Sequence, residues 1–336
     1  MLKKDVNLFV FVFMIGACLS QGRAQTKSAV SYKNPVVDIA MPDPTVIKAA
    51  DGYFYVYATE STRNVPIMKS KDLVEWTYCN TAFTNKTRPR FEPKAGIWAP
   101  DINYINGKYV LYYAMSVWGG EQTCGIGVAT ANSPQGPFTD HGKMFRSNEI
   151  GVQNSIDPSL LQYEGRNYLV WGSFRGIYVI ELTADGLSIM SGAKKKRIAG
   201  TAFEAVYIHK HGDYYYMFAS IGSCCQGVKS TYKVVVGRSK KVWGPYKDKT
   251  GKPMLKNGYS LVIGANDHFV GNGHGSQIIQ DDAGQDWLLY HGFSRSTPEN
   301  GRILLLDQIK WDQEGWPYVE GGSPSYETQK APVFNN

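Results

Sequence analysis

Four side chains that can do acid–base chemistry stand at the same place in a repeated pattern. Asp43, Asp157, Glu204 and His274 each open a strand-like run that leads into a glycine-containing turn. Two facing carboxyl groups are the minimum apparatus for hydrolysing a glycosidic bond, because one must donate a proton while the other activates water or attacks the sugar. A third carboxylate can keep the acid protonated near neutral pH. A lone Asp-Pro is usually an ordinary turn or strand start, but three acids at one end of successive repeats favour a catalytic site.

The pattern that carries these residues occurs five times. Each copy has two strand-like runs around a turn, which is typical of a β-hairpin. The copies are aligned on Gly52, Gly107, Gly165, Gly212 and Gly284, and they begin at Asp43, Ala99, Asp157, Glu204 and His274. Strand-containing repeats of roughly 50 residues predict an all-β, five-bladed β-propeller. A β-sandwich is the alternative, but it does not need one repeated unit. Since the first strand of each propeller blade lines the central channel, we expect the active site at one mouth of that channel.

The composition fits a sugar-binding enzyme better than a nucleic-acid-binding protein. Aromatic residues make up 13% of the 336 residues, and aromatic rings suit the C–H faces of sugars, although most of them must pack between blades. We predict Trp98, Trp118 and Phe174 as aromatic contacts, and Asn154 and Ser173 as polar contacts. The formal net charge is +7 without a basic stripe in a known motif, so we expect no nucleic-acid partner.

The first 24 residues have the pattern of an export signal. Lys3 and Lys4 precede an apolar run over residues 8–19, and Gly22-Arg23-Ala24 suits cleavage before Gln25. An alternative is a lipoprotein signal ending before Cys18, which would then be lipidated. Either way we expect export to the periplasm, the cell surface or the medium. Residues 25–336 would form a single propeller domain, monomeric and without a transmembrane span.

The four cysteines beyond the leader are Cys79, Cys124, Cys224 and Cys225. They are too few for a disulfide-built scaffold, and their spacing does not match a zinc site. Because Cys224 and Cys225 are adjacent, a bridge between them would be strained. We therefore favour packing thiols, although an exported setting permits a disulfide bond.

The residues alone suggest only one of the catalytic roles. Glu204 has the longer side chain and follows Ala202-Phe203, an apolar neighbourhood that would favour its protonated form. It is the candidate acid. Whether Asp43 or Asp157 is the base stays open on this evidence.

The chain resembles glycoside hydrolase family 43 from about residue 36 to residue 319. The resemblance rests on MPDPTVI around Asp43, NSIDPSLL around Asp157, FEAVYI around Glu204, and Trp98-Ala99-Pro100-Asp101. It implies a five-bladed propeller that inverts configuration. It also implies that Asp43 is the general base, Glu204 the general acid, and Asp157 the residue that modulates the pKa of the acid and orients it.

Narrower features are similar to the arabinanase branch of that family. They are NSIDP, the run from Ser223 to Leu255 with its paired cysteines, and GNGHG around His274. They imply endo cleavage of the α-1,5-L-arabinofuranosidic bonds of arabinan or arabino-oligosaccharides, and a calcium ion held by His274 through waters. The alternatives are an exo-α-L-arabinofuranosidase, a β-xylosidase, or a non-catalytic carbohydrate-binding propeller.

Overall fold

The computed structural model describes residues 30–335, which are almost entirely β-structure; the predicted leader lies outside these residues. The strands are, in chain order, β1 Ser31–Tyr32, β2 Val37–Ala40, β3 Thr45–Lys48, β4 Phe54–Tyr57, β5 Pro66–Ser70, β6 Thr77–Thr81, β7 Gly96–Ile105, β8 Lys108–Ser116, β9 Gly125–Ala131, β10 Thr139–Arg146, β11 Ser159–Tyr163, β12 Arg166–Trp171, β13 Ile177–Glu181, β14 Lys196–Ala199, β15 Glu204–His211, β16 Tyr214–Ile221, β17 Lys233–Ser239, β18 Ser260–Ile263, β19 Phe269–Gly273, β20 Ile279–Gln280, β21 Asp286–Ser294, β22 Ile303–Trp311, β23 Pro317–Tyr318 and β24 Gln329–Lys330. The helical segments are α1 Ser147–Ile150 and the 3₁₀ turns Gly227–Lys229, Met254–Lys256, Pro298–Asn300 and Glu320–Gly322.

Apart from β1 and β24, which pair with each other in a separate two-stranded sheet, these strands form five antiparallel sheets, which confirms the predicted five-bladed propeller. Blade 1 is β3–β6, blade 2 is β7–β10, blade 3 is β11–β14, and blade 4 is β15–β18. Blade 5 has the order β19-β21-β22-β2, with β20 and β23 paired at its edges. The predicted hairpins open the first four blades; between β11 and β12, for example, Gly165 has a φ of 72°, a conformation that glycine adopts without strain.

The N-terminal segment closes the ring. Although β2 precedes the first predicted repeat, it supplies the outer strand of blade 5. Tyr32 and Asn34 both donate side-chain hydrogen bonds to the carbonyl of Leu306 at 2.9 Å. Because β2 pairs with β22, the segment that precedes the first blade is held by the last blade, and this closes the ring.

The hydrophobic core consists mainly of five clusters, one between each pair of neighbouring blades. Between blades 1 and 2, for instance, Tyr55 and Tyr57 pack with Ile97, Leu111 and Tyr113. Alternate residues of each strand therefore bury against the blade on either side, which explains why so many aromatic residues are fully buried. None of the helical segments in residues 30–335 has the length and apolar character needed to cross a bilayer.

One strained backbone position recurs in every blade, in or within two residues of its innermost strand. Asp43, Ala99, Asp157, Ala205 and His274 have φ between 41° and 55°. Left-handed backbone at residues other than glycine is costly and tends to cluster at functional sites. The fourth member is Ala205, not Glu204, so the prediction that Glu204 shares the register of the two aspartates was wrong by one residue. A bulge in the β15–β16 pairing, between Glu204 and Tyr207, accompanies this offset.

Candidate active site

A cleft of about 840 Å³ lies at the channel mouth and is lined by residues from all five blades. It brings together every side chain that the sequence analysis selected, namely Asp43, Asp157, Glu204, His274, Trp98, Trp118, Asn154, Ser173 and Phe174. Residues separated by more than 200 positions in the chain therefore share one cavity, because each blade contributes the start of its first strand or a neighbouring loop to the same mouth.

Asp43 is buried among hydrogen-bond donors and cations. Oδ2 accepts a hydrogen bond from the Thr59 hydroxyl at 2.6 Å, and Oδ1 accepts one from Nη1 of Arg302 at 2.7 Å. Nδ1 of His274 lies 3.3 Å from the same Oδ1. The backbone N–H of Asp43 donates to Nδ1 of His291 at 3.0 Å, which fixes the main chain at this strained position.

These neighbours keep Asp43 ionised. Burial alone would raise the pKa of Asp43, but Arg302 and His274 outweigh burial and lower it well below its ordinary value. The nearby carboxylates in turn raise the pKa of His274 against the effect of burial. Burial lowers the pKa of fully buried His291 to about 4, so this ring is neutral and can accept the Asp43 N–H. Asp43 is thus suited to accept a proton.

The surroundings of Glu204 have the opposite effect to those of Asp43, because they raise the pKa of the carboxyl group. Burial raises its pKa, and the negative charge of Asp43 raises it further, although the Ser173 hydroxyl, which donates to Oε2 at 2.6 Å, acts against this. The pKa of Asp157 is also raised, first by burial and then by Glu204 and Asp43. Asp157 accepts the backbone N–H of Ala205 at 3.2 Å, next to Glu204. The two buried carboxyls therefore tend to share a proton near neutral pH, and the site can offer an acid and a base together.

Two of the predicted polar contacts act on each other. Nδ2 of Asn154 donates to the Ser173 hydroxyl at 2.9 Å and to the Ser173 carbonyl at 3.1 Å. Because Ser173 then donates to Glu204, the three residues form a chain that orients the Glu204 carboxyl. Ser173 is 1% exposed, so this chain is mostly closed to solvent.

The predicted aromatic residues line one part of the cleft wall. The rings of Trp98 and Trp118 lie 5.5 Å apart, and Trp118 is 79% exposed. Trp98 packs on a small cluster of Ala114, Cys124 and Ile156. An exposed indole held against a partly buried one offers an apolar face at the cavity rim, where a sugar ring could stack.

Cys224 and Cys225 are joined by a disulfide bond, so the prediction that they are packing thiols was wrong for this pair. They lie in the loop between β16 and β17, on the cleft wall, and not in a blade interface where a thiol would pack. Cys79 and Cys124 are the free cysteines among residues 30–335.

The residues around His274 supply few calcium ligands. A small cavity of about 20 Å³ on the axis is lined by Asp101, Asp157, His274 and Gln277 among others. The Asp101 oxygens already accept hydrogen bonds from the Leu160 N–H at 2.7 Å and from Gln277 at 3.0 Å. Calcium takes six to eight oxygen ligands, so water would have to supply most of them.

Arg302, Thr59 and His291 also act at the site but were not among the predicted residues. A usable signal existed for Thr59, since the β3–β4 register pairs Thr45 with Tyr57 and, extended by two residues, places Thr59 opposite Asp43. Arg302 directly precedes the apolar residues that begin β22. An isolated charged residue at that point indicates where a buried strand begins. His291 lies inside β21 and gives no comparable signal.

Comparison with known proteins gives a family match. The model for glycosyl hydrolases family 43 matches residues 32–317. An extracellular exo-α-(1→5)-L-arabinofuranosidase of Cellvibrio japonicus is 36% identical, over 83% of this chain and 86% of that protein. An extracellular endo-α-(1→5)-L-arabinanase of Bacillus subtilis is also 36% identical, over 82% and 86% respectively.

Solved structures give the same result. The structure of Cellvibrio cellulosa α-L-arabinanase complexed with arabinohexaose superimposes with a TM-score of 0.77 at 34% identity, covering 86% of this chain and 98% of that one. The match of the family model over nearly all the described residues, together with the shared propeller, is sufficient for assignment. This chain belongs to glycosyl hydrolases family 43.

Proposed function

We propose that the protein is an exported, inverting glycosidase that cleaves α-1,5-L-arabinofuranosidic bonds of arabinan, in an endo mode. The observation that carries the chemistry is the opposed electrostatics of two carboxyls in one cleft. Arg302 and His274 hold Asp43 ionised, while burial and neighbouring negative charge favour protonated Glu204. The arabinan substrate is supported by two relatives at 36% identity, both named for α-(1→5)-L-arabinose linkages.

The mechanism is a single displacement. Asp43 accepts a proton from water as that water attacks the anomeric carbon, and Glu204 donates its proton to the departing arabinosyl oxygen. Asp157 keeps the proton available on Glu204. A single displacement needs a carboxyl separation of roughly 6.5–9.5 Å, whereas about 5 Å would suit a retaining enzyme. Proton NMR of the first product tests this, since inversion of an α-linkage releases the β-anomer.

Exo cleavage is the second candidate, because one of the two 36%-identical relatives is named as an exo enzyme. Linear arabinan separates the two modes. Mixed oligosaccharides at early times indicate endo attack, whereas a single short product from the start indicates exo attack. A parallel panel of aryl arabinofuranosides and xylan tests the β-xylosidase alternative.

A Glu204→Gln variant distinguishes an enzyme from a sugar-binding propeller. We expect turnover of arabinan to fall by about 10²–10⁴-fold while oligosaccharide binding persists, because the amide keeps the shape but cannot donate the proton. Glu314→Gln on the exposed side of blade 5 is the control. Full activity of Glu204→Gln would reject Glu204 as the acid.

Export and calcium are parts of the same proposal. Two relatives are named extracellular, which supports export; fractionation of cells expressing the full chain and a Cys18→Ala variant tests release against lipid anchoring. We propose that His274 holds calcium through waters, in a structural or charge-tuning role, so chelation should lower activity and calcium should restore it. We also propose a monomer, which light scattering of the purified chain tests.

A further inference from the structure

A second cluster of potential metal ligands lies on the strand that begins at Glu204. His209 and His211 occupy alternate positions near the end of β15, and alternate residues of a strand point to the same face. Lys210 between them is exposed, whereas both imidazoles are partly buried. The ring of His211 stacks on Trp311 of blade 5 with centroids 3.7 Å apart and planes 8° apart. The histidine face of blade 4 is therefore turned toward blade 5.

Asp286 meets these histidines from blade 5. It is the first residue of β21, and its side chain is only 3% exposed. Oδ2 accepts a hydrogen bond from Nε1 of Trp311 at 2.8 Å, and Oδ1 accepts one from Gln280 at 3.2 Å. No lysine or arginine in residues 30–335 forms an ion pair with it. A buried carboxylate without a cationic partner is costly, and each of its oxygens still has a lone pair to offer.

The three side chains are close enough to share one ion. One ligand atom of each lies within 4.8 Å of the other two, and Nδ1 of His211 is 3.7 Å from Oδ2 of Asp286. Zinc–ligand bonds of about 2.0–2.2 Å in a tetrahedron place ligand atoms about 3.4 Å apart, so small side-chain rotations complete the geometry. We propose that His209, His211 and Asp286 form a binding site for zinc or a similar transition-metal ion, with water at the open coordination position.

Two imidazoles and one carboxylate favour zinc or a similar transition-metal ion. Imidazole nitrogens suit zinc, copper and nickel, whereas calcium and magnesium prefer oxygen ligands. The solvent-facing side of His211, which is 37% exposed, provides a path for the ion and its water.

The site is separate from the catalytic cleft. His211 is seven residues along β15 from Glu204, which corresponds to about 23 Å for an extended strand. Two ligands come from blade 4 and one from blade 5, so a bound ion would link these blades. We therefore assign it a stabilising role, with no part in the hydrolysis.

Calorimetry of the metal-free full-length mature chain with Zn²⁺ tests the proposal. We expect one ion per chain at this site and a higher Tm in its presence, because an ion that binds only the folded state stabilises it. His209→Gln and His211→Gln should each weaken binding by at least about 100-fold and abolish the Tm rise. His141→Gln on blade 2 is the matched control and should bind normally; its ring contacts Thr130 and lies in another blade.

Co²⁺ provides an independent signature, since a four-coordinate His₂Asp site gives intense visible absorption that both glutamine variants should lose. A His274→Gln variant should keep the absorption, which separates this site from the propeller axis. The proposal is overturned if Zn²⁺ fails to bind the wild-type chain below about 100 μM, or if binding is equal in wild type and both histidine variants.

Discussion

Arg302 donates a hydrogen bond to Oδ1 of Asp43 at 2.7 Å, although 259 residues separate them in the chain. The guanidinium is 18% exposed and the carboxyl 11%, so solvent screens their interaction weakly. This pair sets the ionisation of the proposed base and connects the last blade to the first at the point where the chemistry would occur.

An Arg302→Met variant should need a higher pH for activity. The base must be ionised, so activity is lost as pH falls through the pKa of Asp43; removing the cation raises that pKa. We expect the acid limb of the kcat/KM profile to move up by about 1 pH unit or more. Arg295→Met, which removes an exposed arginine bonded to the Asn266 carbonyl, is the control. An unmoved acid limb would contradict the role given to Arg302.

Ser173→Ala should move the alkaline limb of the kcat/KM profile to higher pH. Burial raises the pKa of Glu204, and the Ser173 hydroxyl acts against burial by donating to the ionised carboxylate. Without that donor the acid keeps its proton to higher pH, while kcat should fall because the carboxyl is less well oriented. Ser173→Thr retains a hydroxyl and should recover the wild-type limb. Equal profiles for the alanine and threonine variants would exclude this hydrogen bond as the cause.

Asp157→Asn should move the alkaline limb of the pH–activity profile to lower pH. The pair of Asp157 and Glu204 binds its proton tightly because two buried carboxyls repel when both are ionised. Removing one charge lowers the pKa of Glu204, so activity should be lost at a lower pH than in the wild type. Asp38→Asn, an exposed aspartate bonded to Asn300, serves as the comparison. A limb that moves upward would be incompatible with Asp157 as the modulator.

Arg88→Met should destabilise the fold. Arg88 and Glu60 form an ion pair with side chains 8% and 9% exposed, and Glu60 also accepts the N–H of Asn64 at 2.8 Å and of Ile97 at 2.9 Å. Removing one partner leaves a buried charge, which costs about 3–5 kcal/mol. Urea unfolding measures the loss.

The surface pair Lys143–Glu149 is the matched control for that experiment. Its side chains are 40% and 43% exposed, so Lys143→Met should cost at most about 1 kcal/mol. Equal losses for the two variants would show that burial of the Arg88–Glu60 pair has no special weight.

The β-propeller could be predicted because the same β-hairpin pattern occurs five times in the sequence. The backbone register of Glu204 relative to Asp43 and Asp157 could not be predicted, because an alignment on the turn glycines does not reveal a one-residue bulge in β15. The closing strand β2 was also missed, because four residues with the sequence VDIA carry no signal that they pair with β22 near the other end of the chain.

The amino-acid sequence determined which side chains are available and at what period they recur, because strand alternation and turn chemistry are local. It was enough to bring Asp43, Asp157, Glu204 and His274 to one channel mouth. The protonation states were decided only by the tertiary structure, because a pKa depends on burial and on charges that approach through space. Arg302 reaches Asp43 from the last blade, and Asn154 reaches Glu204 through Ser173. The disulfide between Cys224 and Cys225 and the grouping of His209, His211 and Asp286 likewise arise from how neighbouring loops and blades pack.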